Sequence, residues 1–365
     1  MHTTMRPLSA AEAISPAIER TKTVLFQPFK PGRSWKLAAT AYLSALAAFF
    51  IPTPLFSFFA AAAHPRTGFA GMLFSMGFGT IFSAVMFVFF CIGARLEFSL
   101  FDIVLLNEKF VAPSWRRHGP QTWRWIGFKL IFSFIFAILC GPLLYIAFTR
   151  LLPQMAAVHV VPGQPPPPQL FANLMRIYAI MGVPIGLGIL CSSLLTNFVL
   201  PSVALENTTV REGLRRFAGL ITSEPGPFSL FVVLKVVLAI AGIMAMEFAI
   251  VIAELLGAIP LALVAVAGWF ALRSAGDPGK LMMIAGGILL LVLFFVFVVF
   301  VSTLALGCLH TFFQAYALYF LGGRYPALGD LLEPPAPVVP YAPPQPPPIP
   351  PPSGVIPLPP SEPAV

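Results

Sequence analysis

Ionisable side chains are scarce in this chain, and the few that interrupt its apolar runs are where chemistry has to be sought. Phe228–Leu272 is a block of 45 residues in which only Lys235, Glu247 and Glu254 carry charge. Each such group at bilayer depth costs at least about 2.5–3.5 kcal/mol on insertion scales, so each needs a reason to be there. Glu247 and Glu254 are seven residues apart and share one helical face. Two carboxylates so placed can hold a proton or a cation beside a polar cavity. The competing structural reading puts Glu254 at the outer interface, pairs Glu247 with a polar group on a neighbouring helix, and lets Lys235 snorkel to the near interface. Asn197 beside Thr196, and His310 with Gln314 one turn on, add polar groups in other apolar blocks. They could line the same cavity or make interhelical hydrogen bonds worth about 0.6 kcal/mol each. Glu247, Glu254, Lys235, Asn197, His310 and Gln314 therefore form the candidate intramembrane site.

Other chemistries lack their residues. Cys91, Cys140, Cys191 and Cys308 stand singly in four apolar segments with no CxxC pair, so neither a zinc site nor a redox dithiol is expected. His64 and His159 have no second ligand nearby. There is no HExxH, P-loop or nucleophile-elbow motif. The expectation is a protein that is not an enzyme and carries no metal or cofactor.

The elements that must position these residues follow from composition. With 58% hydrophobic and 10% charged residues and a mean hydropathy of +0.87, the chain is far from the roughly 25% charged content of soluble domains. It reads as an all-α, polytopic membrane bundle of about six transmembrane helices. A span needs about 20 apolar residues, which places spans near 37–60, 69–94, 126–148, 177–203, 228–256 and 281–310. Leu256-Gly-Ala-Ile-Pro260 is a helix-ending signal. The following piece, 260–272, would rise only about 20 Å and reads as re-entrant or interfacial. Counting it as a full crossing gives seven spans instead of six. The membrane domain covers 37–321, preceded by an N-terminal segment, 1–36, and followed by a tail, 334–365.

Sidedness comes from the basic residues. The N-terminal segment and the connections after spans two and four hold fifteen Lys and Arg, against three in the opposite loops. The positive-inside rule then makes the N-terminus cytoplasmic in a cell (inner) membrane, with the C-terminus on the same side for six spans. Trp35, Trp115, Trp123 and Trp125 fall at the same edge. No cleavable signal peptide is visible. Ser9-Ala-Ala-Glu12 is a capping box, followed by Ile14, Ile18 and Leu25, and predicts a short helix on the membrane surface. The second span runs on past the bilayer, with Arg95, Ser99, Asp102 and Lys109 in one stripe that reads as a solvated face.

After span four, Thr209-Val-Arg-Glu212 is a second capping box. Val210, Leu214, Phe217 and Ile221 then make an apolar face, which predicts an amphipathic helix over 209–222. Its face would rest on the acyl boundary while Arg211, Arg215 and Arg216 reach lipid headgroups. Three arginines without a DNA-binding motif do not make a nucleic-acid surface. Gly182-Val-Pro-Ile-Gly186 permits close helix packing, within the bundle or between two copies in a homo-oligomer, and Pro184 predicts a kink.

Several of these motifs are familiar together. They are Pro201 with Leu205-Glu206, Val210-Arg-Glu-Gly-Leu-Arg-Arg-Phe217, Leu234-Lys-Val-Val-Leu238, Arg95 with Phe98 and Asp102, and Gln314-Ala-Tyr-Ala-Leu-Tyr-Phe-Leu321 with Tyr325. Over most of 10–333 the chain resembles an uncharacterised bacterial family of multi-span membrane proteins. That family carries a domain of unknown function related to the membrane domain accompanying some glycerophosphodiester phosphodiesterases. The resemblance implies a helical membrane domain. The phosphodiesterase's soluble catalytic barrel has no counterpart here, so its activity is not implied.

The tail has sixteen prolines in its 32 residues. Such a chain favours polyproline II and builds no core. It serves as a disordered spacer or as the ligand of a protein partner. Two functions remain open. In one, a bundle handles a small solute or lipid in the bilayer. In the other, a non-catalytic scaffold engages lipid headgroups or a protein partner through the 209–222 helix and the tail.

Overall fold

The computed structural model describes residues 6–45, 47–48, 50, 68–146, 168–273 and 275–332. The outer part of the expected first span, the loops holding His64, Arg66, Arg150 and His159, and the tail 334–365 lie outside the described residues. The elements are α1 (Ile14–Phe26), α2 (Pro31–Ala45), α3 (Gly68–Leu106), α4 (Val111–Arg117), α5 (Gly119–Ile146) and α6 (Pro168–Ile177). A π-turn (Tyr178–Gly182) leads into α7 (Val183–Phe198), followed by α8 (Leu200–Glu206), α9 (Val210–Ser223), α10 (Pro225–Leu272), α11 (Gly276–Gly322) and α12 (Pro326–Leu332). Among the described residues there is no strand. Among the described residues five stretches are long and apolar enough to cross a membrane: Met76–Leu106, Gly119–Leu143, Pro168–Glu206, Pro225–Leu272 and Gly276–Gly322. The fold is an all-α, membrane-spanning bundle.

α10 corrects the sequence reading. It is one helix of 48 residues, about 72 Å long, and runs straight through Pro260. The expected re-entrant piece 260–272 is simply its C-terminal end. Proline removes one amide donor, a loss tolerated where a neighbouring helix packs against the site. α11 supplies that packing. At Gly257 the approach is so close that a Cβ would lie 2.4 Å from the Phe297 ring. α11 has 47 residues and returns antiparallel to α10. The hairpin closes at its base with Glu224 and Arg324 in an ion pair at 2.7 Å. The Arg324 guanidinium also donates to the Leu8 carbonyl at 2.9 Å, and the Tyr325 hydroxyl donates to Glu206. The two ends of the described chain therefore meet at one corner of the bundle.

The N-terminal capping box forms: the Glu12 amide donates to Ser9 Oγ at 3.2 Å and the Ser9 amide to Glu12 Oε2 at 2.8 Å. α1, which begins just after this turn, does not lie free on a surface. Ala13, Ala17, Val24 and Leu25 are buried as α1 packs on α11 and α2, while Ile18 faces out. The face that packs is alanine-rich because small side chains let two helices approach. α2 crosses α11 at Gly307, where a Cβ would lie 2.1 Å from the Ala38 carbonyl oxygen.

α7 begins with an irregularity that the Pro184 kink anticipated. The π-turn Tyr178–Gly182 ends two residues before Pro184, and such a turn relieves the clash between a proline ring and the preceding helical turn. Within the chain, Gly182 and Gly186 meet no neighbouring helix, whereas Gly188 lies against Phe136.

α9 has its Thr209 cap, with the Glu212 amide donating to Oγ1 at 3.3 Å. Its apolar face is used internally. Val210, Leu214, Phe217 and Ile221 pack against the core, and Phe217 stacks on Phe198 at 5.2 Å. That replaces the acyl boundary expected from the sequence. The core itself centres on Phe231, stacked between Tyr316 (4.9 Å) and Phe320 (4.5 Å).

Candidate functional site: a polar chamber inside the bundle

Glu97 and Lys129 form the charged centre of the bundle. α3 carries Glu97 and α5 carries Lys129, both within the candidate spans, and their side chains are 7% and 2% exposed. They form a direct hydrogen-bonded ion pair. Trp125 Nε1, one turn before Lys129, donates to the other Glu97 oxygen at 2.7 Å, and Thr196 of α7 is a further hydrogen-bond partner of the carboxylate. Lys129 Nζ also donates to the Ala47 carbonyl at 2.6 Å. A buried charge must be paired and have its remaining hydrogen-bonding capacity filled, and this one satisfies both conditions.

The Ala47 bond belongs to a second feature. α2 ends at Ala45, and the carbonyls of Ala47 and Ala48 lie beyond its hydrogen-bonding ladder and need other donors. Lys129 takes Ala47, and the Ser192 hydroxyl of α7 takes Ala48. The Phe50 amide donates to Ser133 Oγ at 2.8 Å. An irregular backbone at membrane depth is tolerated only where protein or a cavity satisfies it.

A cavity of about 90 Å³ adjoins this break, lined by α2 (Ser44), α3 (Glu97, Leu100), α7 (Ile189, Ser192, Ser193, Thr196, Asn197) and α11 (His310, Phe313, Gln314). It has room for several waters or one group of carboxylate or phosphate size. Ile189 and His310 are exposed, so the chamber opens between α7 and α11. Asn197 and Gln314 are 4% and 6% exposed, and each has an amide nitrogen with no hydrogen-bond partner. Lys235 is buried behind Ser193 and donates to its Oγ at 2.8 Å.

The structure thus gathers four of the six sequence candidates, Asn197, Lys235, His310 and Gln314, around one chamber. It does not bring the two glutamates there. Glu247 is exposed on the outer surface of α10 and Glu254 is half-buried further along the same helix, and neither lines the chamber. The carboxylate that does so, Glu97, was missed because it sat in a segment read as cytoplasmic. A signal was present: Glu97 falls on the far side of α3 from the Arg95–Ser99–Asp102 stripe. That stripe is not a solvated face either. Ser99 and Asp102 are buried because α4 and the start of α5 fold back over them. Asp102 pairs with Arg117 at 2.8 Å and with His118 Nε2 at 3.0 Å, and Arg95 donates to the Trp115 carbonyl at 3.0 Å. Beside them Glu108 accepts from Ser114 and from Arg117. Desolvation alone would raise the Glu108 carboxyl, but the Ser114 and Arg117 hydrogen bonds and the Arg117 charge outweigh it and hold it below the ordinary carboxylate range. Trp125, expected at an interface, is wholly buried, whereas Trp123 is 70% exposed.

Of the arginines assigned to headgroups, Arg216 is committed to Glu206 at 2.6 Å and to Glu212 at 3.6 Å. Arg211 and Arg215 are exposed on the outer face of α9. The four cysteines are free thiols. Among the described residues no cluster of three or more metal-ligating side chains occurs.

Fold and chamber together define a helical membrane protein with a buried polar centre. The chain belongs to a family of unknown function, DUF7544, which it matches over residues 8–331. No curated protein and no solved structure matches it.

Proposed function

We propose that this protein binds a small solute or the headgroup of a lipid in the chamber between α2, α3, α7 and α11, without catalysing a reaction. The observation that carries the reading is the chamber itself. At the depth of the spans, where polar groups are expensive, several converge on an open cavity and two amide donors have no partner. The orientation belongs to the same proposal: an inner membrane, with both ends of the chain cytoplasmic as the distribution of Lys and Arg suggests. So does kinship to the membrane domain accompanying glycerophosphodiester phosphodiesterases, which would be consistent with lipid handling.

A test uses the full chain purified in detergent. Its unfolding temperature is recorded against a panel of sugars, amino acids, inorganic ions, organic acids and lipids. The Ile189→Trp variant, substituted at the exposed mouth, is measured in parallel. At least one compound should stabilise the wild type and not the variant. Equal responses across the whole panel would remove the chamber from consideration.

A second reading, a scaffold on headgroups or a protein partner, has one observation in its favour. Arg211 and Arg215 project from α9 and have no ion-pair partner among the described residues. A protein partner of the proline tail, and self-association through the Gly182–Gly186 face, belong to this reading.

A further inference from the structure

Resting on the chamber as a binding site, we infer that its ligand presents an anionic oxygen group, a carboxylate or a phosphate. The charges give the sign. Glu97 is the only carboxylate in the lining, and it is already saturated by Lys129, Trp125 and Thr196. Lys235 is a second buried cation, 5% exposed. Among the described residues its one hydrogen bond is to the neutral Ser193 hydroxyl and no carboxylate lies within ion-pair distance of it, while its ammonium lies 5.9 Å from the Phe231 ring. With Lys235 protonated, the polar centre carries one more positive charge than negative. A buried cation without a counter-ion is costly, and a bound anion removes that cost.

The hydrogen-bonding inventory points the same way. The two nine-tenths-buried groups with spare capacity at the cavity wall, the amide nitrogens of Asn197 and Gln314, are donors. They come from α7 and α11, on either side of the opening. An ammonium or metal cation would find no free acceptor of matching charge, whereas an oxyanion meets two amide donors, with Lys235 behind the Ser193 hydroxyl of the same wall. The volume of about 90 Å³ admits the charged group and not a whole lipid. A lipid headgroup entering from the opening between α7 and α11 and a free anion thus offer the same chemistry.

Unfolding of the full chain in nanodiscs separates these cases. In phosphatidylcholine discs, inorganic phosphate or acetate should raise the unfolding temperature of the wild type by about 3 °C or more at saturation. In phosphatidylglycerol discs without added anion, the same rise points to the headgroup as the source, and native mass spectrometry should then find the lipid retained. Lys235→Met removes the unpaired charge and should weaken either response at least tenfold, while the ligand-free protein unfolds no lower than wild type. Gln314→Leu, which keeps the charge, should weaken binding too. If sugars or cations alone stabilise, and Ile189→Trp abolishes that, the chamber binds ligands but the anion assignment is wrong. The assignment also fails if anion effects are identical in wild type and Lys235→Met. If nothing in any arm responds to Ile189→Trp, both readings fail.

Discussion

Glu97 and Lys129 are 32 residues apart in sequence and form an ion pair with both side chains less than a tenth exposed. Both are removed from bulk solvent, so each depends on the other being present. Removing one partner strands the other charge, at a cost of about 3–5 kcal/mol, whereas replacing both with apolar residues is often close to neutral. Glu97→Leu and Lys129→Met should therefore each lower thermal stability sharply. The double variant should recover most of the loss, giving a large coupling energy in a double-mutant cycle. Additive losses would mean that the pair is not formed.

Arg20 closes the end of α3. Its Nε donates to the Val104 carbonyl at 2.7 Å and a terminal nitrogen to the Leu105 carbonyl at 2.6 Å. Asn107, in the left-handed conformation at φ 53°, then turns the chain. Arg20→Ala should cost about 1.5–3 kcal/mol, since it removes charge-assisted bonds to part-buried carbonyls. Arg20→Lys should restore only part of this, because an ammonium cannot reproduce the planar fork. Limited proteolysis at 107–110 reads the effect: cleavage should accelerate in the alanine variant and be intermediate in the lysine one.

Acid should loosen the same corner. Glu108 is held below its ordinary value of 4.5 in the folded protein, so the unfolded chain binds its proton more readily. The stability it contributes is fully present above the unfolded value and is lost as pH falls through the lower, folded one. Unfolding temperatures measured from pH 6 to pH 3 should decline for the wild type, and part of that decline should vanish in Glu108→Gln. Superimposable pH profiles would show that the Ser114 and Arg117 bonds contribute nothing.

What could be read in advance divides by range of interaction. The capping signals at Ser9 and Thr209 depend on neighbours three residues away: both bonds of the box form at Ser9, and at Thr209 the hydroxyl caps the Glu212 amide. The long apolar blocks likewise gave the helices. Lys235, Asn197, His310 and Gln314 could be singled out because a polar group in an apolar run is conspicuous wherever it sits. Glu97 was hidden because its meaning depends on Lys129, Trp125 and Thr196, which come from two other helices. Lys129, counted among the charges that orient the chain, is a buried structural ion. The stripe on α3 misled for a related reason: amphipathicity marks a polar face but does not say whether water or Arg117 and His118 will meet it. Pro260 is the converse error, a strong local signal overridden by packing against α11.

The break at the end of α2 also has a time dimension. Its carbonyls and amide are satisfied by Lys129, Ser133 and Ser192, the last of these 144 residues downstream. At synthesis rates of about 5–20 residues per second, Ser192 follows roughly 7–30 s after Ala48. Lys129 and Ser133 are made earlier, but throughout that interval the Ala48 carbonyl has no partner to accept from. The first helices to leave the ribosome are therefore among the last to be completed, and the polar chamber does not exist until α7 has been delivered to them.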